Sequence, residues 1–347
     1  CALVFAMIVV GGVTRLTHSG LSITEWQPVA GALPPIGAAD WDETFAKYRL
    51  TPEFREVNHG MSIGEFKRIF WWEYAHRLLG RVVGFAFLLP YAWFVVRRRI
   101  PAGYAWPLAG IFVLGGMQGL VGWLMVQSGL VNDPHVSQFR LTAHLGLAIA
   151  IFGAMLWIAL SLAPSRRPAF PAGGAVSRAS RALAYGVAAL VFVMVLSGGV
   201  VAGIRAGLAY NTFPLMNGHV VPPDILMLDP LWKNFFWNMA TVQFDHRLIA
   251  WLLAAAIPAL WWRLRRDAAP VRARTLSAAL CAMLAVQVSL GIATLVNGVP
   301  VALAALHQAG AVAVFGLAVA VAHTLRTDAT VQIDHLPKPA RRAMMRD

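Results

Sequence analysis

Four histidines lie near the ends of long apolar segments, which is an unusual position for an ionisable side chain. They are His76, His144, His246 and His307. Ionisable residues in apolar membrane segments are costly to bury and usually mark a functional site. Two histidines that face each other from separate helices supply the two imidazoles needed for axial ligation of a haem iron. The spacing therefore predicts two haem sites, each with a pair of histidine ligands.

Other interpretations of these histidines remain open at this point. A single histidine in a span is as often a hydrogen-bonding residue between helices as a ligand. Zinc is a competing metal, but it requires three or four ligands close together, commonly with Cys, Asp or Glu among them. A pair of histidines on separate helices fits haem better. The remaining histidines are expected in loops or at the surface: His18, His59, His135, His219, His323 and His335.

The four histidines belong to an internal repeat. Each half of the chain has one histidine in its second apolar segment and one in its fourth, and each has a glycine pair near the end of its first apolar segment. The repeat predicts two halves related by an axis along the membrane normal. The matching positions are residues 11–13 with 198–200, 20–21 with 207–208, 76–78 with 246–248, Gln118 with Gln287, and His144 with His307.

One difference between the halves bears on chemistry. Glu73 stands three residues before His76, whereas Gln243 stands three residues before His246. Residues at i and i+3 share a helix face, so each side chain can point towards the same pocket as its histidine. A site that performs chemistry needs an acid or base, and glutamine does not exchange a proton at working pH. The alternative is that Glu73 only pairs with a nearby arginine at the interface.

An arginine follows a candidate ligand in each half. Arg77 and Arg247 could bind haem propionates, because the guanidinium suits bidentate recognition of carboxylates. Each could equally extend to the membrane surface without a haem contact. Small residues near the histidines would let a flat macrocycle approach the helices, although glycine is common in membrane helices generally. They are Gly80, Gly84, Gly146 and Gly310.

The segments that position these residues are long and apolar. The chain has 347 residues, 58% of them hydrophobic and only 13% charged, whereas soluble domains have about 25% charged residues. Eight segments approach or reach the ~20 apolar residues that cross a bilayer. This predicts an all-α polytopic membrane protein of eight transmembrane helices in two pseudo-symmetric four-helix bundles. The predicted spans are 1–13, 74–96, 106–126, 141–162, 183–202, 240–262, 276–296 and 301–325, with an outer loop up to about residue 71.

The distribution of charge predicts the topology. The formal net charge is +13, and the arginines concentrate in alternate connections, as the positive-inside rule describes. This pattern places both termini in the cytoplasm. It explains the positive charge by the orientation of the chain in the lipid bilayer rather than by binding to nucleic acid. The first segment is short for a span, so the natural protein is expected to begin earlier. The predicted divisions are 1–163 and 182–325 for the two halves, 164–181 for a cytoplasmic linker and 326–347 for a cytoplasmic tail.

Four sequence motifs surround the candidate residues: GVTRLTHSGLS at 12–22, EFKRIFWWEYAHR at 65–77, RLTAHL at 140–145 and FDHR at 244–247. Together they resemble the motifs of haem A synthase, in the form found in mitochondria and related bacteria. The resemblance covers nearly the whole chain. Some bacterial members have a cysteine pair in the first outer loop, whereas this chain has only Cys1 and Cys281, neither of them there.

The resemblance implies that the C8 methyl of haem O is oxidised to a formyl group, by successive hydroxylation with loss of water, to give haem A for cytochrome c oxidase. It implies a haem b bound by His246 and His307, and the substrate haem bound by His76 and His144. It also implies that Glu73 takes part in the chemistry. An inner (plasma) membrane location, haem O synthase as a donor of substrate and an unidentified electron donor follow from the same resemblance.

Two other functions are compatible with such a repeat. One is a di-haem b-type cytochrome that transfers electrons from quinol, but pure electron transfer does not require an acid in only one half. The other is a transporter, which would have broken helices near the middle of the membrane rather than polar residues at one face.

Overall fold

The computed structural model describes residues 1–27, 30–131, 134–163 and 176–326. These residues form eleven α-helices, three short 3₁₀ helices and no β-strand, so the prediction of an all-α protein is confirmed for the described part of the chain. The helices are α1 (Ala2–Leu16), α2 (Ala38–Arg49), α3 (Pro52–Glu56), α4 (Ile63–Val96), α5 (Ala105–Leu130), α6 (Gln138–Leu162), α7 (Arg178–Gly203), α8 (Asn234–Trp237), α9 (Met239–Arg266), α10 (Val271–Val296) and α11 (Val301–Thr324).

Seven of the described helices are long and apolar enough to cross a membrane: α4, α5, α6, α7, α9, α10 and α11. They correspond to the second to eighth predicted spans, and they make the chain a multi-pass membrane protein. The first predicted span corresponds to α1, an apolar helix of 15 residues. That length is below the ~20 residues that a span normally needs.

Helix α4 begins earlier than the sequence predicts. The outer loop was expected to continue to about residue 71, whereas α4 begins at Ile63. The cause is a capping box, in which the Ser62 hydroxyl accepts from the Glu65 amide at 3.3 Å and the Glu65 carboxylate accepts from the Ser62 amide at 2.9 Å. The helix that carries Glu73 and His76 therefore begins, and is capped, about ten residues before Glu73, outside its apolar part.

The segment 38–56, formed by α2 and α3 and called the outer segment after the side of the membrane predicted for it, packs on this extension of α4 through aromatic side chains. The buried members of the cluster are Trp41, Tyr48, Phe66, Phe70 and Tyr74. Trp41 meets Phe70 edge to face at 4.9 Å, and Tyr48 stacks on Phe66 at 5.0 Å. Such pairs add about 0.5–1.5 kcal/mol each beyond the area that they bury. They fix the outer segment against the start of the helix that bears the site.

The apolar helices contact one another in two closed series. Helix α1 packs against α4, α4 against α5, α5 against α6, and α6 against α1. In the same way α7 contacts α9, α9 contacts α10, α10 contacts α11, and α11 contacts α7. The two series meet where α6 packs on α7 and where α11 packs on α1 and α6. The largest buried apolar cluster lies here and includes Ile149, Val187, Ile257, Val312 and Phe315.

Two predicted segments fall partly outside the described residues. Residues 164–175 of the predicted linker and 327–347 of the predicted tail, which include His335, are not among them. The described part begins again just before α7. There the Ser177 amide and hydroxyl both donate to the Asp267 carboxylate, at 3.0 and 2.8 Å, which joins the start of α7 to the end of α9.

The expectation that His323 is a loop or surface residue is wrong. Its side chain is buried near the end of α11, with 4% of its surface exposed. The imidazole meets Trp157 edge to face at 4.9 Å, and its Nε2 lies 2.9 Å from Ser161 Oγ. The packing of α6 against α11 encloses it, which the sequence of α11 alone did not reveal.

Candidate functional site

In the N-terminal half, each candidate histidine packs against a glycine of the neighbouring helix. His76 of α4 faces Gly11 of α1, where an added Cβ would lie 2.8 Å from the imidazole Cε1. His144 of α6 faces Gly122 of α5, where an added Cβ would lie 2.7 Å from Cε1. Real Cβ atoms do not approach so closely, because protein interiors are close-packed. Each ring therefore occupies space that only a glycine leaves open.

The C-terminal half repeats this arrangement. His246 of α9 faces Gly198 of α7, and an added Cβ there would lie 3.3 Å from Cε1. His307 of α11 faces Gly291 of α10, at 2.8 Å by the same measure. Gly198 is the repeat counterpart of Gly11, and Gly291 that of Gly122. All four histidines are thus seated in one way, on helices in equivalent positions.

The structure brings the histidines together in the predicted pairs. His76 lies close enough to His144 for electrostatic interaction, and His246 lies close enough to His307. All four side chains are partly buried. Among the described residues, no group of three or more His, Cys, Asp or Glu side chains could hold a metal ion. Within the described part of the chain, the histidines therefore lie near one another two by two and do not belong to a larger ligand cluster.

A glutamine orients the second histidine of each pair. The amide nitrogen of Gln118 donates to the backbone carbonyl of His144 at 2.9 Å, and Gln287 donates to the carbonyl of His307 at 2.9 Å. The same nitrogen of Gln287 lies 3.1 Å from His307 Nδ1. These bonds tie α5 to α6 and α10 to α11 at the level of the histidines.

Glu73 is buried and fully hydrogen-bonded. Only 2% of its surface is exposed. Its Oε2 accepts from the Ser22 hydroxyl at 2.8 Å and from the Ile23 amide at 2.7 Å. Its Oε1 accepts from Arg77 Nε at 3.0 Å and from Arg77 Nη2 at 2.7 Å. The carboxylate is held in one orientation, one helical turn before His76, and the arginine pair that was the alternative role for Glu73 is present.

Gln243 occupies the equivalent place in the C-terminal half. It is 3% exposed, its Oε1 accepts from Arg247 at 3.0 Å, and its Nε2 donates to the Ala206 carbonyl at 2.8 Å. The glutamine thus keeps the arginine contact of its counterpart. It carries no charge and accepts no proton at neutral pH.

The two arginines bind the outer loops in equivalent ways. Arg77 donates to the carbonyls of Ile23 at 2.8 Å and Glu25 at 2.9 Å. Arg247 donates to the carbonyls of Tyr210 and Thr212, both at 3.0 Å. Tyr210 and Thr212 are the repeat counterparts of Ile23 and Glu25. Arg247 Nε is buried without a hydrogen-bond partner, so this arginine retains a donor for another acceptor. The binding of haem propionates stays a prediction.

The residues present fit a haem with two axial imidazoles. His76 Nδ1 and His144 Nδ1 are buried and have no hydrogen-bond partner, although buried polar atoms are nearly always paired. Glycines beside each ring allow the helices to approach closely. Neutral imidazole is also a good ligand for iron. Both the donor set and the packing therefore suit a macrocycle between the paired helices.

Sequence reasoning missed the glycines that contact the histidines. It pointed to glycines near the histidines along the chain, but Gly84 faces open space and Gly146 faces Leu196. Gly122 and Gly291 lie on other helices. The signal that could have found them is the spacing Gln-x-x-x-Gly, which occurs at 118–122 and again at 287–291.

The fold and the site together define a helical, multi-pass membrane protein with two repeat-related pairs of histidines, one of them beside a buried carboxylate. Comparison with known proteins agrees with this class. The chain belongs to the COX15-CtaA family, described as "Cytochrome oxidase assembly protein", whose family model matches residues 1–319. The family predicted from the sequence motifs is thereby confirmed.

Curated relatives resemble the chain over almost its whole length. A "Heme A synthase" of Nitrosospira multiformis is 57% identical over 326 residues, which are 94% of this chain and 91% of the relative. A "Heme A synthase" of Nitrosomonas eutropha is 52% identical, with the same coverage of both chains. One of Parvibaculum lavamentivorans is 50% identical over 93% of this chain and 91% of its own length.

Proposed function

We propose that this chain is a haem A synthase, a membrane oxidoreductase that oxidises the C8 methyl of haem O to the formyl group of haem A. The observation that carries the proposal is the replacement of Glu73 by Gln243 at equivalent positions of the repeat. At the position three residues before the first histidine, a proton-accepting group is present in one half only, as expected when one half performs chemistry and the other does not. The names of the relatives favour this function over a di-haem cytochrome.

In this proposal the N-terminal half binds the substrate. His76 and His144 would hold the iron of haem O, and the glycines that they contact leave space for their imidazole rings. Glu73 accepts a proton in the oxidation of the methyl group. Its four hydrogen bonds hold the carboxylate still, and a fixed base needs little reorganisation when the proton moves.

The C-terminal half binds a resident haem b in this proposal. When bound, that haem supplies electron transfer. His246 and His307 hold it, and Gln243 preserves the arginine contact of its counterpart without adding an acid. Arg77 and Arg247 fix the outer loops over the two sites, and the unpartnered Nε of Arg247 is available to a propionate.

The proposed architecture has eight transmembrane helices in two four-helix bundles, with boundaries at 1–163, 164–181, 182–325 and 326–347. The two closed series of helix contacts support it. We infer a plasma-membrane location with both termini in the cytoplasm, since arginines follow α4 and occupy the last turn of α9. Haem O would come from a haem O synthase, and electrons from a donor still to be identified.

Haem extraction tests this function. Cells that make haem O but no haem A are transformed with the wild-type chain or with the Glu73→Gln variant. The wild type should convert haem O to haem A, and Glu73→Gln should lower haem A by at least about a hundredfold, the lower range for the loss of a general base. The matched control is Gln243→Asn, which changes the corresponding residue of the other half and should retain conversion. If the wild type forms no haem A, the proposal is wrong.

The haem b assignment has its own measurement. His246→Ala should remove the b-type absorbance of the purified protein. A b-type spectrum that survives this change at full intensity would contradict the assignment to the C-terminal half.

A further inference from the structure

A second difference between the halves lies behind the first histidine of each pair. In the C-terminal half, Ser197 Oγ lies 2.7 Å from His246 Nδ1. Ser197 directly precedes Gly198, the glycine on which the His246 ring rests. In the N-terminal half the equivalent residue, which directly precedes Gly11, is Val10. Its side chain offers no hydrogen bond to an imidazole.

The Ser197–His246 hydrogen bond has one direction that is compatible with both contacts of the serine. A serine hydroxyl has one proton to donate and two lone pairs that accept. The Ser197 hydroxyl also lies 2.9 Å from the backbone carbonyl of Met194, one turn earlier in α7, and a carbonyl can only accept. When the hydroxyl donates to that carbonyl, Ser197 Oγ accepts from His246, and the ring then carries its proton on Nδ1. Nε2 is then left with the lone pair that a metal requires.

His76 has no such partner. Its Nδ1 is buried and without a hydrogen bond, so nothing selects one tautomer or one ring orientation in the same way. Partners behind a metal-binding histidine normally fix both, and they also raise the basicity of the imidazole. The serine is therefore present in the half proposed to retain its haem. It is absent from the half whose haem must enter as substrate and leave as product.

We propose that Ser197 is a positioning residue that holds His246 in the Nδ1–H tautomer for lasting ligation of haem b, and that Val10 leaves His76 free to release the haem it binds. This inference rests on the proposed function, because it takes the C-terminal haem as resident and the N-terminal haem as substrate. Ser197 acts through His246 and does not touch the haem itself. A more basic imidazole stabilises ferric iron over ferrous iron, so the serine also lowers the reduction potential of the haem.

The test measures the bound haem b in the purified full-length chain and not the conversion of substrate. Ser197→Ala should weaken haem b retention about 10–100-fold, the usual effect of removing such a partner. It should also raise the potential, with about a tenfold change in the equilibrium constant for reduction, or about 59 mV for one electron. Ser197→Thr keeps a hydroxyl and should restore both properties towards the wild type. A purely structural role of Ser197 would not move the potential.

The reciprocal variant, Val10→Ser, adds a hydroxyl at the equivalent place in the N-terminal half. It should increase the amount of haem O or haem A that copurifies with the chain, because release becomes slower. If Ser197→Ala retains haem b with an unchanged potential while His246→Ala removes the b-type signal, this inference is wrong and the proposed function stands. If His246→Ala leaves the signal unchanged, the haem assignment fails, and the inference fails with it.

Discussion

At the scale of single residues, the contact between histidine and glycine limits which side chains the site tolerates. His144 lies where a Cβ on Gly122 would have to be, whereas an added Cβ on Gly119, three residues earlier on α5, meets nothing within 4 Å. Alanine is a better helix former than glycine by about 1 kcal/mol. Helix propensity alone would therefore favour alanine at both Gly122 and Gly119. If only the alanine at Gly122 lowers activity, the cause is displacement of the His144 ring.

We predict that Gly122→Ala lowers haem A formation by about tenfold or more, because the new methyl group pushes the His144 ring out of its place and disturbs a geometry that catalysis needs. Haem extraction from cells that make haem O gives the measurement, and Gly119→Ala is the matched control. Equal activity of the two variants would show that the ring position at residue 144 does not matter. Haem b content should be the same in both variants, since the change lies in the other half.

Glu73 illustrates how little chemistry separates the two sites. The backbone carbonyls that bind Arg77 and Arg247 stand at matching positions, and both arginines bind the residue four positions before them. The only change at that residue is between a carboxylate and an amide of nearly the same shape. The hydrogen bonds of the arginine are thus preserved in both halves, while the residue at this position can accept a proton in only one of them.

At the scale of elements, the outer segment 38–56 contains a buried acid of its own. Glu53 of α3 is 5% exposed, and its Oε2 accepts from the Tyr48 hydroxyl at 3.4 Å. Burial, followed by the negative charge of Glu73, raises the pKa of the Glu53 carboxyl from 4.5 to about 8. The folded outer segment therefore holds this carboxyl in its protonated form at neutral pH.

This shift predicts a pH dependence of stability. The folded protein binds the Glu53 proton more tightly than the unfolded chain does, so the unfolded chain loses that proton first as pH rises. The contribution of Glu53 is complete below about pH 4.5 and falls as pH rises to about 8. Thermal unfolding in detergent between pH 5 and 8 should thus show a decline in the midpoint that Glu53→Gln reduces.

The matched control for Glu53 is on the same short helix. Glu56 is exposed, and Glu56→Gln should reproduce the pH profile of the wild type. If Glu53→Gln and Glu56→Gln give the same profile, the buried carboxyl does not titrate in this range.

At the scale of the whole molecule, contacts between the two halves join them along one side. Gln308 of α11 donates to the Ile8 carbonyl of α1 at 2.7 Å, and Phe315 lies where a Cβ on Gly153 of α6 would be, at 2.9 Å. Gln308 directly follows the candidate ligand His307. The N-terminal and C-terminal halves are therefore in direct contact close to a candidate ligand, which suits the proposed passage of electrons between them.

The topology can be tested with single cysteines. In a chain with Cys1→Ser and Cys281→Ser, we predict that Val57→Cys in the outer segment reacts with a membrane-impermeant maleimide in intact spheroplasts. Ala102→Cys, in the connection after the arginines of α4, should react only after the membrane is broken. Val57 and Ala102 are both exposed, so accessibility within the protein does not distinguish them. The reverse labelling pattern would mean that the predicted orientation is inverted.

The apolar helices and the candidate residues were predictable from the sequence because membrane insertion leaves a strong local signal. A span needs a continuous apolar run, and polar residues such as His76 and Glu73 are conspicuous within or beside it. The repeat allows Glu73 to be compared with Gln243 from the sequence alone. The start of α4 was misplaced because its capping box lies outside the apolar run, where hydropathy carries no information.

What the sequence alone determined is therefore the class of protein, the family resemblance, the four histidines and the difference between Glu73 and Gln243. The tertiary structure decided which glycine faces which histidine, which carbonyls the arginines bind, that His323 is buried, and that Ser197 stands behind His246. These contacts join residues on different helices or loops, from 16 positions apart for Gly291 and His307 to 162 for Ser161 and His323. Spacing along one helix reveals which residues share a face, but only the packing of helices reveals what that face meets.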